Sequence, residues 1–150
     1  MGEATHKILV VEDDRQIQSF IGYALEQDGF CSLSANSGHS AMSLLISEPI
    51  ELLLLDLGLP DCDGMEIIKR VREWSDMPII VVSARDQDRE KAAALDAGAD
   101  DYLTKPFSAT ELLARIRVAI RHLRRQSGEK PQAVYQVCLL YTSPSPRDCS

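Results

Sequence analysis

Residues 52–64 read LLLLDLGLPDCDG, a run of four leucines that stops at Asp56. A strand with apolar side chains on both faces is buried on both sides, which is typical of a parallel sheet covered by helices. Two other runs have the same character, KILVV at Lys7–Val11 and PIIVV at Pro78–Val82. The three runs predict the central strands of an α/β domain.

Working outward from these runs, short β-rich segments alternate with longer segments of helical spacing. The remaining predicted strands are Phe30–Leu33 and Tyr102–Leu103, and the predicted helices are Arg15–Gln27, Ser37–Ser47, Met65–Glu73, Asp88–Ala97 and Ser108–Arg124. Glycine follows the first and fourth predicted helices, where a left-handed residue is favoured. Ser108 and Glu111 have the spacing of a capping box. Five strand–helix repeats predict a doubly wound parallel sheet.

The composition is that of one globular domain: 150 residues, 45% hydrophobic and 26% charged. No apolar run approaches the roughly 20 residues that span a bilayer, and the start of the chain lacks the basic segment of a secretion signal. We therefore expect a cytoplasmic protein with no membrane partner. The net charge of −7 argues against nucleic-acid binding by this chain itself.

The composition changes after residue 124, so the predicted domain covers residues 1–124. Residues 125–132 are polar and predict a linker. Residues 133–150 are too few to bury a second core. They are interpreted as the truncated start of a lost effector domain, a foreign tail similar to translated vector sequence, or both; a native disordered tail is the alternative.

Polar side chains follow the predicted strands at their carboxyl ends. They are Glu12, Asp13 and Asp14 after the first strand, Asp56 after the third, Ser83 after the fourth and Lys105 after the fifth. Because the carboxyl ends of parallel strands share one edge, these residues are expected to converge in one crevice. A cluster of carboxylates with no histidine or cysteine suits a hard cation, Mg²⁺ or Mn²⁺.

Such a crevice is equipped to accept a phosphoryl group on Asp56. A carboxylate beside a divalent cation can attack phosphorus, while the cation, an ammonium and a hydroxyl balance the charge on the phosphoryl oxygens. Each residue also has an ordinary interpretation. An aspartate at a strand end can form a turn, and acids near a helix start are favoured by the helix dipole. The hypothesis rests on their joint placement.

Four motifs, KILVVEDD, LLLLDLGLPDCDGMEI, PIIVVSAR and ALDAGADDYLTKPF, carry a resemblance to a known family. In order and spacing they resemble the receiver domain of bacterial two-component response regulators, in the subfamily with a winged-helix DNA-binding domain. The resemblance covers about residues 5–124. It implies a flavodoxin-like, CheY-like (βα)5 fold with strand order 2-1-3-4-5, a sensor histidine kinase as partner and Mg²⁺ as cofactor.

The resemblance also implies roles for individual residues. Asp56 is the expected phosphorylation site, and Glu12, Asp13 and the carbonyl of Gly58 are expected to serve the metal with it. The family more often has aspartate at the position of Glu12, so Asp13 is expected to bind the ion directly and Glu12 through water. The expected phosphate-binding and switch residues are Ser83, Ala84, Lys105 and Tyr102, with a cis peptide at Lys105-Pro106.

Similar regulators form homodimers on phosphorylation through the face of the fourth helix, fifth strand and fifth helix. Charged residues on these predicted elements are Lys91, Asp96, Asp100, Asp101, Glu111, Arg115 and Arg117. We predict Lys91–Glu111 and Asp101–Arg115 pairs across a two-fold axis. The alternative is a solvated charged face, with under about 1 kcal/mol for each exposed pair.

The predicted function is that of a phospho-accepting protein that is not a turnover enzyme and that reaches DNA only through a missing domain. A stand-alone receiver that relays or drains phosphate is the nearest alternative. A haloacid-dehalogenase-like phosphatase is more remote, since it needs a second aspartate where Gly58 stands. A nucleotide-binding protein would have a glycine-rich phosphate loop where this chain has acids.

Overall fold

The computed structural model describes residues 6–84 and 88–126. Its strands are β1 (Lys7–Val11), β2 (Cys31–Ala35), β3 (Leu52–Asp56), β4 (Ile79–Ser83) and β5 (Asp101–Thr104). Its helices are α1 (Arg15–Gln27), α2 (Gly38–Ser47), α3 (Gly64–Arg72), α4 (Asp88–Ala97) and α5 (Ala109–Gln126). The predicted tail at 133–150 and most of the predicted linker lie outside the described residues, whereas residues 125 and 126 continue α5.

The five strands form one parallel sheet in the order β2-β1-β3-β4-β5. Strand β1 pairs with β2 on one side and with β3 on the other, so Leu9 lies opposite both Leu33 and Leu53. The chain thus starts near the middle of the sheet and crosses over once. The predicted doubly wound α/β fold and its strand order are confirmed.

The sheet is buried on both faces in the compact unit formed by residues 1–117. Side chains alternate along each strand. One set of strand residues, including Leu9, Leu53 and Ile79, joins a core cluster with residues of α2, α3 and α4. The other set, including Ile8 and Leu54, is also fully buried. This double burial explains why β1, β3 and β4 are apolar throughout.

The ends of the helices show how local sequence sets the boundaries. Asp14 precedes α1 and its side chain accepts from the N–H groups of Gln16 and Ile17. Ser37 and Asp63 play the same part before α2 and α3. Ser37 is therefore the N-cap of α2 and not its first helical residue. Gly29 and Gly98 follow helices with φ of 89° and 124°, as the sequence predicts.

The helices themselves are modest in length. The longest, α5, has 18 residues and carries five arginines before its final glutamine. In the part of the chain that the structure describes, no helix combines the length and the apolar character needed to cross a bilayer.

Candidate functional site

An acidic cluster lies at the carboxyl edge of the sheet, where β1 and β3 end side by side. One oxygen from each of Glu12, Asp13 and Asp56 lies within 4.8 Å of the other two. Glu12 and Asp56 are only 2% and 8% exposed, whereas Asp13 is open to solvent. The structure thus brings together three carboxylates that sequence spacing predicts to converge.

The ammonium group of Lys105 reaches this cluster from the end of β5. Its Nζ lies 2.9 Å from Oε1 of Glu12 and 3.7 Å from Oδ2 of Asp56. The backbone N–H of Lys105 donates to the carbonyl of Ser83 at 2.8 Å. The expected cis peptide follows at Lys105-Pro106. Lys105 therefore supplies a positive charge to a site that holds three negative ones.

The surroundings of Glu12 change the pKa of its carboxyl group. Its burial raises its pKa above that of an ordinary glutamate, and the hydrogen bond from Lys105 opposes this rise. The negative charge of Asp56 raises the pKa of Glu12 further. Such crowding of carboxylates is relieved when a cation binds between them.

The loop after β3 folds back tightly over Asp56. The N–H of Gly58 donates to Oδ1 of Asp56 at 3.2 Å, and Gly58 is exposed. A Cβ added to Gly64 would lie 2.9 Å from the Cα of Leu57 and 3.2 Å from the carbonyl oxygen of Asp56. The start of α3 therefore packs against the backbone just beyond the proposed acceptor, and only glycine fits there.

The remaining predicted site residues lie on the neighbouring strands. Ser83 ends β4, is 2% exposed and pairs in register with Thr104 of β5. Ala84 is exposed just beyond it. Tyr102 is half-buried and packs against the core cluster, with Val81 as its register partner. The hydroxyl and aromatic positions implied by the family resemblance thus stand on adjacent strands.

A groove of about 470 Å³ opens next to Lys105. Its walls are mainly apolar and are formed by Gln16, Ile17, Phe20, Ala84, Pro106 and Phe107. The rings of Phe20 and Phe107 are tilted against each other with centroids 6.1 Å apart, and Phe20 is 43% exposed. Lys105, whose ammonium reaches the acidic cluster, is the residue that the groove and the cluster share.

Part of the predicted dimer face forms an ion-pair cluster within one chain. Nη1 of Arg115 lies 2.8 Å from Oδ2 of Asp101, and Nη2 lies 3.4 Å from Oε2 of Glu111. The Asp101–Arg115 pair forms within one chain, and its predicted formation between two chains stays a prediction. Asp101 is the first residue of β5 and Arg115 lies in α5, so the pair links these two elements.

Two other predicted face residues have partners on other elements. Asp100 accepts from Nη2 of Arg72 in α3 at 2.9 Å, and from the N–H of Ile79 at the same distance. Arg117 binds Asp28, at the end of α1, at 2.8 Å. Lys91 and Asp96 lie on α4 as predicted. Asp100 and Arg117 thus have partners on α3 and at the end of α1 within one chain, and their assignment to a dimer face stays a prediction.

Sequence analysis missed two residues that support the site. Gln18 donates from Nε2 to the carbonyls of Glu12 at 3.0 Å and Ala35 at 3.3 Å, which ties α1 to the ends of β1 and β2. Asp61, in the loop after β3, accepts from the N–H groups of Gly38 and His39. The only sequence feature that pointed to Asp61 was its position as an acidic residue in the loop that directly follows Asp56.

The comparison with known families agrees with the fold and the acidic site described above. Residues 8–117 match the response regulator receiver domain. The chain belongs to this family. It is therefore the receiver domain of a two-component response regulator. The KDP operon transcriptional regulatory protein KdpE of Escherichia coli (strain K12) is 49% identical over 124 residues, which cover 83% of this chain and 55% of KdpE. This chain spans about half the length of the curated relatives it matches.

Solved receiver domains have the same fold. A CheY-like receiver domain protein from Methanospirillum hungatei JF-1 is 27% identical with a TM-score of 0.78, covering 82% of this chain and 99% of that one. The BeF3-activated N-terminal receiver domain of Klebsiella pneumoniae RstA is 32% identical with a TM-score of 0.75, covering 77% and 99%.

The donor set of the acidic cluster fits the metal expected for this family. Glu12, Asp13 and Asp56 offer only carboxylate oxygens, and hard divalent cations such as Mg²⁺ and Mn²⁺ prefer oxygen ligands. The exposed Asp13 leaves the cluster open to an ion that keeps several water ligands, as Mg²⁺ usually does.

Proposed function

We propose that this receiver domain accepts a phosphoryl group on Asp56 from a phosphohistidine of a sensor histidine kinase, in a reaction that requires Mg²⁺. The proposal rests chiefly on one observation. The buried carboxylate of Asp56 lies at the meeting point of two further carboxylates and one ammonium group. A nucleophile, a cation site and a counter-charge for phosphate thus share one crevice.

In this proposal Asp13 and Asp56 hold the metal directly, with the carbonyl of Gly58, and Glu12 binds it through water. When bound, the ion neutralises charge on the incoming phosphoryl oxygens and on the carboxylates around them. The rigid end of β3 holds the Asp56 oxygen in place, because every residue of that strand is buried. Positioning of this kind is the main contribution that a protein makes to phosphoryl transfer.

The phosphoryl transfer is a displacement at phosphorus. An oxygen of Asp56 attacks the phosphorus atom, the P–N bond breaks, and the imidazole nitrogen keeps the electron pair and takes up a proton. An acyl phosphate remains on Asp56. Lys105 then moves its ammonium from Glu12 towards a phosphoryl oxygen, and the Ser83 hydroxyl donates to another. This charge redistribution is what links phosphorylation to the neighbouring strands, including the half-buried Tyr102.

We further propose that the chain is not a turnover enzyme. A phosphatase of the haloacid-dehalogenase type needs an acid–base carboxylate two residues after its nucleophile, and here that position is Gly58. Hydrolysis of the acyl phosphate is therefore expected to be slow, and the phosphorylated form to persist as a signal.

The proposed output is phosphorylation-dependent homodimerisation through α4, β5 and α5, which controls transcription through a DNA-binding domain beyond this chain. Two findings support this proposal. The similar protein KdpE is named a transcriptional regulatory protein, and this chain matches only about half of its length. A stand-alone receiver is the alternative. The sequence of the native gene beyond codon 137 distinguishes the two.

The phosphorylation proposal is tested by incubating the chain with Mg²⁺ and acetyl phosphate and measuring its intact mass. The wild-type chain is expected to gain one phosphoryl group, and Asp56→Asn none. Asp63→Asn, which changes a helix-capping aspartate in the same loop, is the matched control and should still gain it. A gain by Asp56→Asn equal to that of the wild type contradicts the proposal.

A further inference from the structure

Asp61, a carboxylate outside the acidic cluster, connects the loop after β3 to the start of α2. Asp61 lies in the loop between β3 and α3. Its Oδ1 accepts from the N–H of Gly38 at 2.8 Å and its Oδ2 from the N–H of His39 at 3.0 Å. Gly38 and His39 are the first two residues of α2, so the side chain of Asp61 links the loop after β3 to the start of a helix 22 or 23 residues earlier in the sequence.

On the α2 side, the segment that Asp61 holds is connected to Glu12, which directly follows β1. The loop before α2 follows Ala35, the last residue of β2, whose carbonyl accepts from the N–H of Glu12 at 3.0 Å and from Nε2 of Gln18 at 3.3 Å. The backbone around Glu12 is thus tied to the segment that Asp61 holds.

Asp61 is also close in sequence to Asp56, the proposed acceptor. Asp61 lies five positions after Asp56, and the short segment between them carries Gly58, whose N–H donates to the Asp56 carboxylate. The loop is packed closely against α2: a Cβ added to Gly38 would lie 2.2 Å from Sγ of Cys62. The hydrogen bonds of Asp61 and the packing of Cys62 against Gly38 both limit movement of the loop relative to α2.

We propose that Asp61 is a positioning residue for phosphoryl acceptance, holding the Gly58 segment over the metal site by fastening it to α2. This inference rests on the proposed function, since it assigns Asp61 a part in the same site. Asp61 touches neither metal nor phosphate. It acts through the backbone of the loop, and its two hydrogen bonds are charge-assisted and so stronger than those of a neutral acceptor.

The test compares Asp61→Ala with Ser37→Ala. Both substitutions remove a side chain that accepts N–H groups at the start of α2, but Ser37 lies on the α2 side and makes no bridge to the loop after β3. Mg²⁺ dissociation constants are measured by titration calorimetry well below the unfolding temperature. The Mg²⁺ concentration for half-maximal phosphorylation and the maximal rate are measured with acetyl phosphate.

We expect Asp61→Ala to raise both the Mg²⁺ dissociation constant and the half-saturating Mg²⁺ concentration roughly 10-fold, at the lower end of the roughly 10- to 100-fold effects of groups that support metal ligands. The maximal rate at saturating Mg²⁺ should change less. Ser37→Ala should leave both Mg²⁺ values near those of the wild type. Asp61→Asn, which keeps one acceptor oxygen, should give a smaller shift in the same direction, and it serves if Asp61→Ala does not fold.

Equal Mg²⁺ affinities for the wild type and the Asp61 variants, or equal losses in Asp61→Ala and Ser37→Ala, would overturn the positioning role while the proposed function stood. Failure of the wild-type chain to bind Mg²⁺ would instead overturn the proposed function, and the positioning role with it.

Discussion

The ammonium of Lys105 lies 2.9 Å from the carboxylate of Glu12, a residue 93 positions earlier in the chain. Glu12 is almost fully buried, so this contact supplies the counter-charge that a desolvated carboxylate needs. A divalent cation binding to the same cluster would share these carboxylates with the ammonium. Lys105 therefore both stabilises the site before it is loaded and competes with the metal for it.

Replacing Lys105 with methionine tests this competition. We expect Lys105→Met to bind Mg²⁺ roughly 3- to 10-fold more tightly, because an opposing charge close to the carboxylates is gone. Titration calorimetry measures the change. The control is Lys7→Met, which removes an ammonium that contacts Glu48 at 3.1 Å from the other end of β1. Weaker Mg²⁺ binding by Lys105→Met than by Lys7→Met would contradict the competition.

The intrachain pair of Asp101 and Arg115 allows a test of whether it exchanges between chains on dimerisation. In Asp101→Arg and in Arg115→Glu the two positions carry like charges, so neither variant can form the pair within a chain or in a homodimer. A mixture of the two can form both pairs only between chains. With Mg²⁺ and BeF3⁻ we expect each variant alone to sediment as a monomer and the mixture to form heterodimers.

The heterodimer experiment also has a clear contrary result. If the pair stays within each chain when the domain dimerises, mixing restores nothing and the mixture sediments like its components. Because exchange breaks one exposed pair for each one formed, and such pairs contribute roughly 0.2–1 kcal/mol, the pair is expected to set the register of the dimer more than its affinity.

The pKa of Asp61 predicts a pH-dependent stability. It lies below that of an ordinary aspartate, chiefly because the Gly38 and His39 N–H groups donate to the carboxylate. A carboxyl group with a lowered pKa in the folded state stabilises the fold above its unfolded pKa, and this contribution is lost as the pH falls through the folded pKa. Asp61→Asn should therefore be less stable than the wild type at neutral pH, with a difference that shrinks below about pH 4.

Urea denaturation at several pH values measures that difference. Ser37→Ala removes an uncharged cap from the same helix, so its loss of stability should stay constant over the same pH range. A pH-independent deficit for Asp61→Asn would show that the charge of Asp61 is not what holds the start of α2.

Two glycines are expected to respond to alanine with opposite signs. Gly22 lies inside α1, where a new Cβ meets only Oγ of Ser32 at 3.5 Å, so Gly22→Ala should stabilise the fold by about 0.5–1 kcal/mol. Gly64→Ala would place its Cβ 2.9 Å from backbone of Leu57 and should cost roughly 1–3 kcal/mol. Thermal denaturation measures both, and a stabilising Gly64→Ala would contradict the tight packing beside Asp56.

The fold could be predicted because its decisive signal is local. Strands buried on both faces have apolar side chains at every position, as β3 and β4 do up to their last residue. The polar residues that end these strands then meet at one edge by the geometry of a parallel sheet. This is why the sequence alone was enough to assign Asp56, Ser83 and Lys105 to a common crevice.

Contacts made by long side chains could not be predicted in this way. Arg72 donates to the carbonyl of Met77 at 2.7 Å and binds Asp100 across 28 residues, and Arg117 binds Asp28 across 89 residues. Their direction depends on how the helices pack, which hydrophobic spacing does not specify. The pairing of Asp101 with Arg115 was predicted, but complementary charges alone do not show whether a pair closes within a chain or between copies.

The most direct test of the account locates the phosphoryl group itself. The chain is phosphorylated with Mg²⁺ and acetyl phosphate, the acyl phosphate is reduced with borohydride, and the modified residue is identified by peptide mass spectrometry, with a parallel sample in EDTA. We predict modification at Asp56 alone and none in EDTA. Modification at Asp13 or Ser83, or at Asp56 without a divalent cation, would contradict the assignment of Asp56 as a metal-dependent phosphoryl acceptor.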